Sequence, residues 1–230
     1  MIDLKAILKD YENKNYILQN PKPIRQGKEA TVFVVWFQGE PLALKVYIDP
    51  KIRAFQNNLA YTEGQFYRKP SERRAVAKRN KFAKALLHKG WVRREFYLLD
   101  KLLSLGATVP EVYDWTPESI LMEFVGKDDV APRLIDVELN KSQVSLAFES
   151  VLKDVERMLE CGVVHGDLSA YNILWWQNKP WIIDFPQAID IRYNPRKDEF
   201  LKRDLDNVIS YFGEYLDINS EQIYQRFLKV

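Results

Sequence analysis

Two short apolar stretches near the start of the chain predict a pair of β-strands. The stretches "TVFVVWF" (31–37) and "LALKVYI" (42–48) are rich in β-branched and aromatic residues, and "QGEP" separates them. Together they predict a β-hairpin. The polar segment just before it, "IRQGKEA" (24–30), contains one glycine and predicts a short turn.

Lys45 is the one charged residue within the second of these stretches. By the alternation of side chains along a strand, it shares a face with Ala43 and Tyr47. Taken alone, this pattern fits equally well a lysine on an edge strand that reaches solvent. Its meaning therefore depends on the rest of the chain.

Later segments have the periodicity of helices. The stretch "WVRREFYLLDKLLSLG" (91–106) predicts an amphipathic helix that carries Glu95 and ends at its glycine. The stretch "SERRAVAKRNKFAKALL" (71–87) also predicts a helix, whereas 57–70 before it predicts a loop. A longer amphipathic helix is predicted over "SQVSLAFESVLKDVERMLECG" (142–162). Its apolar side consists of Val144, Phe148, Val151, Leu152, Val155 and Leu159.

Further strands are predicted in the second half of the chain. The stretch "SILMEFVG" (119–126) is one, and "NILWW" (172–176) and "PWIIDF" (180–185), joined by "QNK", form a second hairpin. Asp184 then lies on the return strand of that hairpin. Two or three helices are expected in the remaining residues.

This order of elements predicts an α+β fold with two lobes. We expect a single domain over 1–230, with a small β-rich N-lobe (1–121), a hinge (122–126) and a mainly helical C-lobe (127–230). The N-lobe is expected to contain a flexible insertion at about 51–90.

The overall composition is that of a soluble globular protein. The 230 residues are 47% hydrophobic and 29% charged, and the single Cys161 excludes an internal disulfide and a multi-cysteine metal site. No apolar run approaches the length of a membrane span. The acidic, amphipathic start "MIDLKAILKDYENKNY" is unlike a signal peptide, so we expect a cytoplasmic protein without a membrane partner.

Charge is distributed unevenly along the chain. The net charge is +2, yet residues 51–94 contain thirteen Lys and Arg against two acids, about +11, which leaves about −9 elsewhere. Aromatic residues are interleaved with these cations, as on RNA-binding surfaces. They are Tyr61, Phe66, Tyr67 and Phe82. A loop followed by a solvated helix face is the plainer interpretation of the same pattern.

The segment "GVVHGDLSAYNIL" (162–174) places His165, Asp167 and Asn172 close together just before an apolar strand. Each residue has an ordinary explanation when it is considered by itself. His165 would be a core histidine, Asp167 a turn-forming aspartate and Asn172 a capping asparagine.

Five polar residues form, in chain order, the set that phosphoryl transfer requires. Lys45 would neutralise nucleotide phosphates, and Glu95 would hold that cation in place. Asp167 would orient the attacking hydroxyl and accept its proton, while Asn172 and Asp184 would carry Mg²⁺. Asn172 follows Asp167 by five residues, as in the protein-kinase signature, and Asp184 lies twelve residues further on. This order and spacing predict a kinase-like nucleotide site.

The chain resembles the RIO family of atypical serine/threonine protein kinases in five motifs, "GKEATVF", "MEFVG", "APRL", "VVHGDLSAYNIL" and "IIDFPQAI". The likeness extends from about Ile24 to Phe212, and the basic segment before Glu95 and the stretch "RDLDNVISYF" also fit this family. The resemblance implies a protein-kinase-like fold without the activation segment and the full peptide-substrate platform. Only 46 residues follow Asp184, and they contain no A-P-E.

The resemblance also implies a role for each member of the set. Lys45 contacts the α- and β-phosphates and Glu95 anchors it. Asp167 is the catalytic aspartate, supported by Lys45 and Asn172, and Asn172 and Asp184 are metal ligands. The implied phosphoryl donor is ATP with Mg²⁺, or with Mn²⁺ in its place.

Further nucleotide contacts follow from the same resemblance. The turn "RQGKEA", with Gly27 and Lys28, would cover the phosphates. Ala43 joins the nucleotide-binding residues, and the backbone of Glu123 and Val125 would pair with adenine. A solvated turn lysine is the plainer interpretation of Lys28.

Some positions depart from the family pattern. Ala170 stands where the family usually has an acid, and "DFPQ" resembles the second RIO subfamily more than the first. Only about twenty residues precede the phosphate turn, which is few for the winged-helix domain of that second subfamily. The subfamily is therefore left open. Gly166 replaces the arginine that reads a phosphorylated activation loop, so control of that kind is not expected.

Two other functions fit part of the sequence. Small-molecule kinases of the aminoglycoside or choline type also carry an H-G-D-x-x-x-x-N stretch and an I-D-F strand. An ATP-gated module that binds RNA or a ribosomal particle through residues 51–94 is a different class of answer. For the kinase, the phosphoacceptor is a protein of unknown identity or the chain itself.

Overall fold

A computed structural model of the protein describes residues 3–27, 29–48 and 81–227, with the backbone alone for 81–89. The described chain forms two compact units. Unit 1 contains the described residues up to 48, those from 81 to 100, and Glu111–Phe124. Unit 2 contains Lys101–Pro110 and the described residues from Val125 onward. Lys28 and the predicted loop at 57–70 lie outside the described residues.

Unit 1 is built on an antiparallel sheet of five strands in the order β1-β2-β3-β5-β4. The strands are β1 (Gln19–Gln26), β2 (Ala30–Phe37), β3 (Glu40–Tyr47), β4 (Val112–Thr116) and β5 (Ser119–Glu123). The predicted hairpin of β2 and β3 is confirmed. A two-residue turn joins the strands, and Gln38 and Gly39 there both have positive φ.

The structure corrects the sequence interpretation at two places in this sheet. The segment predicted as a turn before the hairpin is strand as far as Gln26, because β1 pairs with β2 along its length. That pairing is irregular, with register shifts on both sides of Lys22 and Pro23. The short strand β4 was not predicted from the sequence either.

Helices cover both faces of the sheet in unit 1. Helix α1 (Leu4–Glu12) begins at Asp3, whose carboxylate accepts the Ala6 N–H at 3.1 Å. It buries Ile7 and Tyr11 against one face of the sheet. Helix α2 (Lys81–Ser104) packs on the other face. The contact there includes Ala30, Ala43, Tyr47, Val92 and Ile120. Strand β3 is therefore a central, doubly covered strand.

Unit 2 is mainly helical and contains four short strands among the described residues. The helices are α3 (Lys141–Glu160), α4 (Lys197–Gly213) and α5 (Ser220–Phe227). The strands are β6 (Val163–Val164), β7 (Ile173–Trp176), β8 (Lys179–Ile182) and β9 (Ile189–Asp190). The predicted hairpin of β7 and β8 is confirmed, with Gln177 and Asn178 at positive φ in its turn. Two further turns are 3₁₀-helical, Leu134–Asp136 and Ala170–Asn172.

Helix α3, with 20 residues, is the longest of the three helices described in unit 2. The Asn140 side chain caps its first turn by accepting the Gln143 N–H at 3.0 Å, and the Gln143 side-chain oxygen accepts the Asn140 N–H at 3.1 Å. The predicted apolar side is confirmed except at Leu159, which is only partly buried, whereas Met158 is buried. None of the helices in the described ranges is both long and apolar enough to cross a membrane.

Candidate active site

Lys45 and Glu95 form a buried ion pair in unit 1. Lys45 Nζ lies 2.7 Å from Glu95 Oε1, and the two residues are only 6% and 3% exposed. Lys45 is on β3, whose neighbours are β2 and β5, so the interpretation as an edge-strand lysine is wrong. A lysine this deeply buried requires a partner charge.

The position of Glu95 follows from the packing of α2. Val92 and Phe96 on the same side of this helix contact the sheet, and Glu95 lies between them in sequence. Residues three and four apart share one helix face, so the packing turns Glu95 toward β3. Tyr47, two residues after Lys45, donates its hydroxyl proton to Glu95 Oε2. The alternation along the strand predicted that Tyr47 shares a face with Lys45, but it indicated no role for Tyr47.

Asp167 and Asn172 are joined directly in unit 2. Asn172 Nδ2 donates to the Asp167 main-chain oxygen at 2.8 Å and to Asp167 Oδ2 at 3.3 Å. Burial raises the pKa of the Asp167 carboxyl, and the negative charge of Asp184 adds to the rise. The Asn172 hydrogen bond and the Arg203 charge oppose it. Asp167 is therefore a stronger base than an exposed aspartate.

Asp184 lies two residues beyond the end of β8, not on that strand as the sequence suggested. Its φ is +72°, a left-handed conformation that is unfavourable for a residue with a side chain. The carboxylate is close enough to Asp167 for its charge to act on the Asp167 pKa. The structure thus groups Asp167, Asn172 and Asp184.

Asp204 on α4 holds the backbone on both sides of Asp167. Its Oδ2 accepts the Gly166 N–H at 2.7 Å, and its Oδ1 accepts the Leu168 N–H at 3.0 Å. Burial raises the Asp204 pKa to about 7, and these two N–H groups offset part of the rise. The loop is therefore fixed by a carboxylate almost 40 residues away in sequence.

Two more side chains of α4 complete this clamp. Arg203 donates to the Gly166 carbonyl oxygen, and Asn207 Nδ2 donates to the Leu168 carbonyl oxygen at 2.9 Å. One helix thus binds the main-chain N–H and carbonyl groups of both Gly166 and Leu168. The stretch "RDLDNVISYF" resembles the family in sequence, but its contacts with the loop were not predicted. The available signal was a run of charged and amide side chains in a helix with an apolar face.

His165 is a buried residue of this loop, 1% exposed, as its ordinary interpretation predicts. Its Nδ1 accepts the Asp167 N–H at 3.3 Å, so Nε2 carries the proton and donates to the Ile183 carbonyl oxygen at 3.1 Å. Its ring also contacts Phe185, with centroids 4.6 Å apart. His165 connects the backbone of Asp167 to the residue that precedes Asp184.

The predicted adenine contacts are firmly anchored main-chain positions. The Glu123 N–H donates to the Glu111 carbonyl oxygen at 2.7 Å, and the Val125 carbonyl accepts the Ala131 N–H at 2.8 Å. Gly126 follows with φ +153°, and an added Cβ would lie 2.2 Å from the Asp129 carbonyl oxygen. Glycine is therefore required at this position.

The remaining predicted nucleotide contacts are in unit 1. Ala43 is buried on the same face of β3 as Lys45. Gly27 directly follows β1, and its N–H donates to the carbonyl oxygen of Ala30 at the start of β2, at 2.8 Å.

The residues in unit 2 fit a magnesium ion that is bound together with phosphates. Because the Asn172 amide nitrogen is engaged by Asp167, its Oδ1 is the atom left to face a cation. A cation would also relieve the repulsion between Asp167 and Asp184. No group of three or more His, Cys, Asp or Glu in the described residues could hold a metal. Asn172 Oδ1 and the Asp184 carboxylate would supply oxygen ligands, and Mg²⁺ usually takes the rest of its ligands from waters and phosphates.

Comparison with known proteins gives a consistent result. The sequence model of the RIO domain matches residues 31–223. The serine/threonine-protein kinase RIO1 of Caenorhabditis elegans is 31% identical over 198 residues, which cover 83% of this chain and 36% of that protein. Rio1 of Haloferax volcanii is 32% identical, covering 88% of this chain and 67% of that protein. Rio2 of Methanocaldococcus jannaschii is 30% identical, with 95% and 74% covered. The chain thus spans about a third of the nematode relative, and both Rio1 and Rio2 proteins are among its relatives.

The fold also matches a solved kinase structure. That structure is the Rio2 kinase-ADP/Mg²⁺-phosphoaspartate complex from Chaetomium thermophilum. The two chains share 19% sequence identity with a TM-score of 0.68, and the match covers 96% of this chain and 66% of that one. The predicted α+β, protein-kinase-like fold class is therefore confirmed.

Proposed function

This chain belongs to the RIO family, and we propose that it is an ATP- and Mg²⁺-dependent serine/threonine protein kinase of RIO type. One observation carries the proposal. Asp167 and Asn172 are hydrogen-bonded to each other in a loop where α4 binds the main-chain N–H and carbonyl groups of Gly166 and Leu168. A general base and a metal ligand fixed in this way suit transfer of a phosphoryl group to a hydroxyl.

In this proposal, Lys45 binds the α- and β-phosphates of ATP. Its ammonium is held by Glu95 at 2.7 Å in a desolvated setting, where an electrostatic interaction with phosphate is stronger than in water. Glu95 does not contact the substrate; it keeps the cation in place. The pair therefore contributes to the binding of ATP, because it interacts with phosphate charge that is present before the reaction begins.

Asp167 acts on the incoming hydroxyl. One of its carboxylate oxygens accepts the hydroxyl proton while the other is held by Asn172 Nδ2. The raised pKa of Asp167 favours this role, because a stronger base takes the proton more readily. Asn172 Oδ1 and Asp184 would hold Mg²⁺, which neutralises charge on the phosphates when it is bound.

The adenine and phosphate ends of the nucleotide use main-chain groups. We assign adenine to the backbone of Glu123 and Val125. Two hydrogen bonds that fix this backbone support the assignment, from the Glu123 N–H to Glu111 at 2.7 Å and from the Ala131 N–H to Val125 at 2.8 Å. Gly27 and Ala43 complete the assignment, since neither side chain fills the space a nucleotide requires. Lys28 is included on its charge and its place in the sequence alone.

The fate of the γ-phosphate tests this proposal. Protein is incubated with γ-labelled ATP, with Mg²⁺ or with a chelator, and label is followed on the chain itself, on basic protein acceptors, on aminoglycosides and choline, and as free phosphate. Mg²⁺-dependent label on serine or threonine supports the proposal. Label only on small molecules would assign the chain to the other class of kinase, and free phosphate alone would make it an ATPase.

We further propose that residues 51–94 bind structured RNA through its phosphates, and that the protein is cytoplasmic. The support for RNA is the charge of about +11 in that segment; most of it lies outside the described residues. In the described part, Arg93 lies over the ring of the half-exposed Tyr97, 5.5 Å from its centroid. RNA affinity should fall with log salt at a slope of about −0.7 to −0.9 per neutralised phosphate.

A charge-reversal variant checks the RNA proposal. We expect Arg73/Arg74/Lys78/Arg79→Glu to lower RNA affinity and to flatten its salt dependence relative to the unmodified protein. Equal affinity and equal slope for the two proteins would remove RNA from the list of partners. The kinase proposal would stand in either case.

A further inference from the structure

The carboxylate of Glu95 has a different partner on each oxygen. Lys45 Nζ donates to Oε1 at 2.7 Å, and the Tyr47 hydroxyl donates to Oε2. The proposed role of Lys45 at the nucleotide phosphates requires only the first of these contacts. The second contact joins a buried tyrosine to the same carboxylate that holds the lysine.

Tyr47 is held firmly where it makes this contact. It is 3% exposed and pairs with Ala30 at the end of β3. Its N–H donates to the Glu118 carbonyl oxygen at 2.9 Å, and the next residue, Ile48, donates to Glu29 at the same distance. The hydroxyl is therefore presented by a part of the sheet that is fixed on both sides.

Tyr47 also contacts the lysine itself. Lys45 Nζ lies 5.4 Å from the centroid of the Tyr47 ring, within the range of a cation–π interaction. One side chain thus contacts the ammonium with its ring and the carboxylate with its hydroxyl. All three groups are almost fully buried, which makes a hydrogen bond to a charged partner stronger than it is in water.

We propose that Tyr47 is a positioning residue for Lys45, acting through Glu95. A carboxylate with lysine as its partner can rotate and engage the ammonium with either oxygen or with both. The Tyr47 hydroxyl occupies Oε2, so Glu95 meets the ammonium through Oε1 in one geometry. This inference rests on the proposed role of Lys45 at the nucleotide phosphates.

The three side chains hold one another in place. Lys45, Tyr47 and Glu95 all belong to unit 1, and each of these contacts joins two of the three. Ordering the ammonium in advance removes part of the entropy cost that binding would otherwise incur. The benefit applies to ligands with phosphates and not to adenosine.

The test compares ATP and adenosine affinities for Tyr47→Phe, which removes one oxygen and keeps the ring. We expect ATP affinity to fall about tenfold, the size expected for losing one hydrogen bond to a charged group, with adenosine affinity unchanged. Tyr11→Phe is the matched control. Tyr11 is also fully buried in unit 1 and bonded through its hydroxyl to Ser119 at 3.2 Å, but it packs on the opposite face of the sheet. Both affinities should be unchanged in that variant.

The ratio of ATP affinity to adenosine affinity distinguishes the positioning of Lys45 from a general loss of folded structure. Partial unfolding of Tyr47→Phe would lower both affinities equally, because both ligands need the folded chain. An unchanged ratio in Tyr47→Phe, with a reduced ratio in Lys45→Ala, would overturn this inference and leave the proposed function intact. An unchanged ratio in both variants would contradict the proposed role of Lys45 itself.

A second measurement is a double-mutant cycle with Glu95→Gln. If Tyr47 acts through Glu95, its change to phenylalanine should have little further effect on ATP affinity once Glu95 is neutral. Additive losses in the double variant would show that Tyr47 acts by another route.

Discussion

At the scale of single residues, Lys45 and Glu95 show how a buried charge depends on its partner. Both are almost fully buried, and each satisfies the other across 2.7 Å. Breaking such a pair leaves a desolvated charge, which costs about 3–5 kcal/mol, whereas removing both charges together costs far less. Stability and nucleotide binding should therefore respond differently to single and double substitutions.

The first prediction uses that difference. Lys45→Met should lower the free energy of unfolding by about 3–5 kcal/mol in a urea titration, because Glu95 is left buried without its cation. Lys45→Met/Glu95→Leu should recover most of this stability but should not recover ATP affinity. Recovery of both would mean that the pair is structural and that Lys45 does not meet the phosphates.

Asp204 gives a prediction on pH. Its pKa is about 7 in the folded protein, against an ordinary value of 3.8, so between these values the folded state holds a proton that the unfolded state has lost. Stability from this group therefore falls as pH rises from about 4 to about 7, by at most about 1.4 kcal/mol per pH unit. Below and above this window the contribution is constant.

Asp204→Asn removes that titration. We expect the variant to carry a constant penalty, because its amide nitrogen must face a backbone N–H of Gly166 or Leu168. Its stability relative to the unmodified protein should improve from pH 4 to pH 7 in urea titrations. A difference that does not change with pH would show that Asp204 is ionised throughout.

The individual residues differ in how far sequence alone could identify them. Asp167 and Asn172 are recognisable by their spacing of five, which is a local property. Asp204 is not, because its function arises only when α4 packs beside a loop 36 to 38 residues away. Nothing in the local pattern around Asp204 specifies that contact.

At the scale of elements, the predictions succeeded where the apolar pattern was strong. The strands β2 and β3 are almost continuously apolar and were identified. Strand β1 has the sequence "QNPKPIRQ", with two prolines and mostly exposed side chains, so it lacks a strand signal of its own. It forms because β2 offers an open edge to pair with, which is a tertiary effect.

Gly126 supplies a test of the backbone conformation near the start of the Val125–Val230 part of unit 2. Its φ is +153°, and an added Cβ would lie 2.2 Å from a backbone oxygen of Asp129. We expect Gly126→Ala to lower the free energy of unfolding by about 1–3 kcal/mol or more, because neither the backbone nor the oxygen can give way cheaply.

Gly90→Ala is the matched control for this prediction. Gly90 lies within α2, and outside the helix's own backbone no atom of the described residues lies within 4 Å of an added Cβ, so alanine there should raise stability by up to about 1 kcal/mol. Thermal or urea unfolding of both variants gives the comparison. Similar effects at the two positions would contradict the conformation described for Gly126.

At the scale of the whole molecule, the order of motifs along the chain was enough to predict the fold class. A lysine on a strand, a glutamate on a helix and a loop before a hairpin follow one another in the order typical of a kinase-like fold. The structure and the comparisons both agree with this fold class. The packing of helices could not be predicted in the same way. Helix α1 covers a sheet face and α4 clamps a loop, and both depend on contacts between distant parts of the chain.

The central claim is that Asp167 acts on the acceptor hydroxyl and not on the binding of ATP. The most direct measurement is turnover and Mg²⁺-ATP affinity, by single-turnover phosphoryl transfer and calorimetry, for Asp167→Asn and for the exposed control Asp217→Asn. We predict that Asp167→Asn lowers the rate about 10²–10⁴-fold with ATP affinity little changed, and that Asp217→Asn changes neither. Full turnover in Asp167→Asn, or a loss of ATP affinity as large as the loss of rate, would contradict the account.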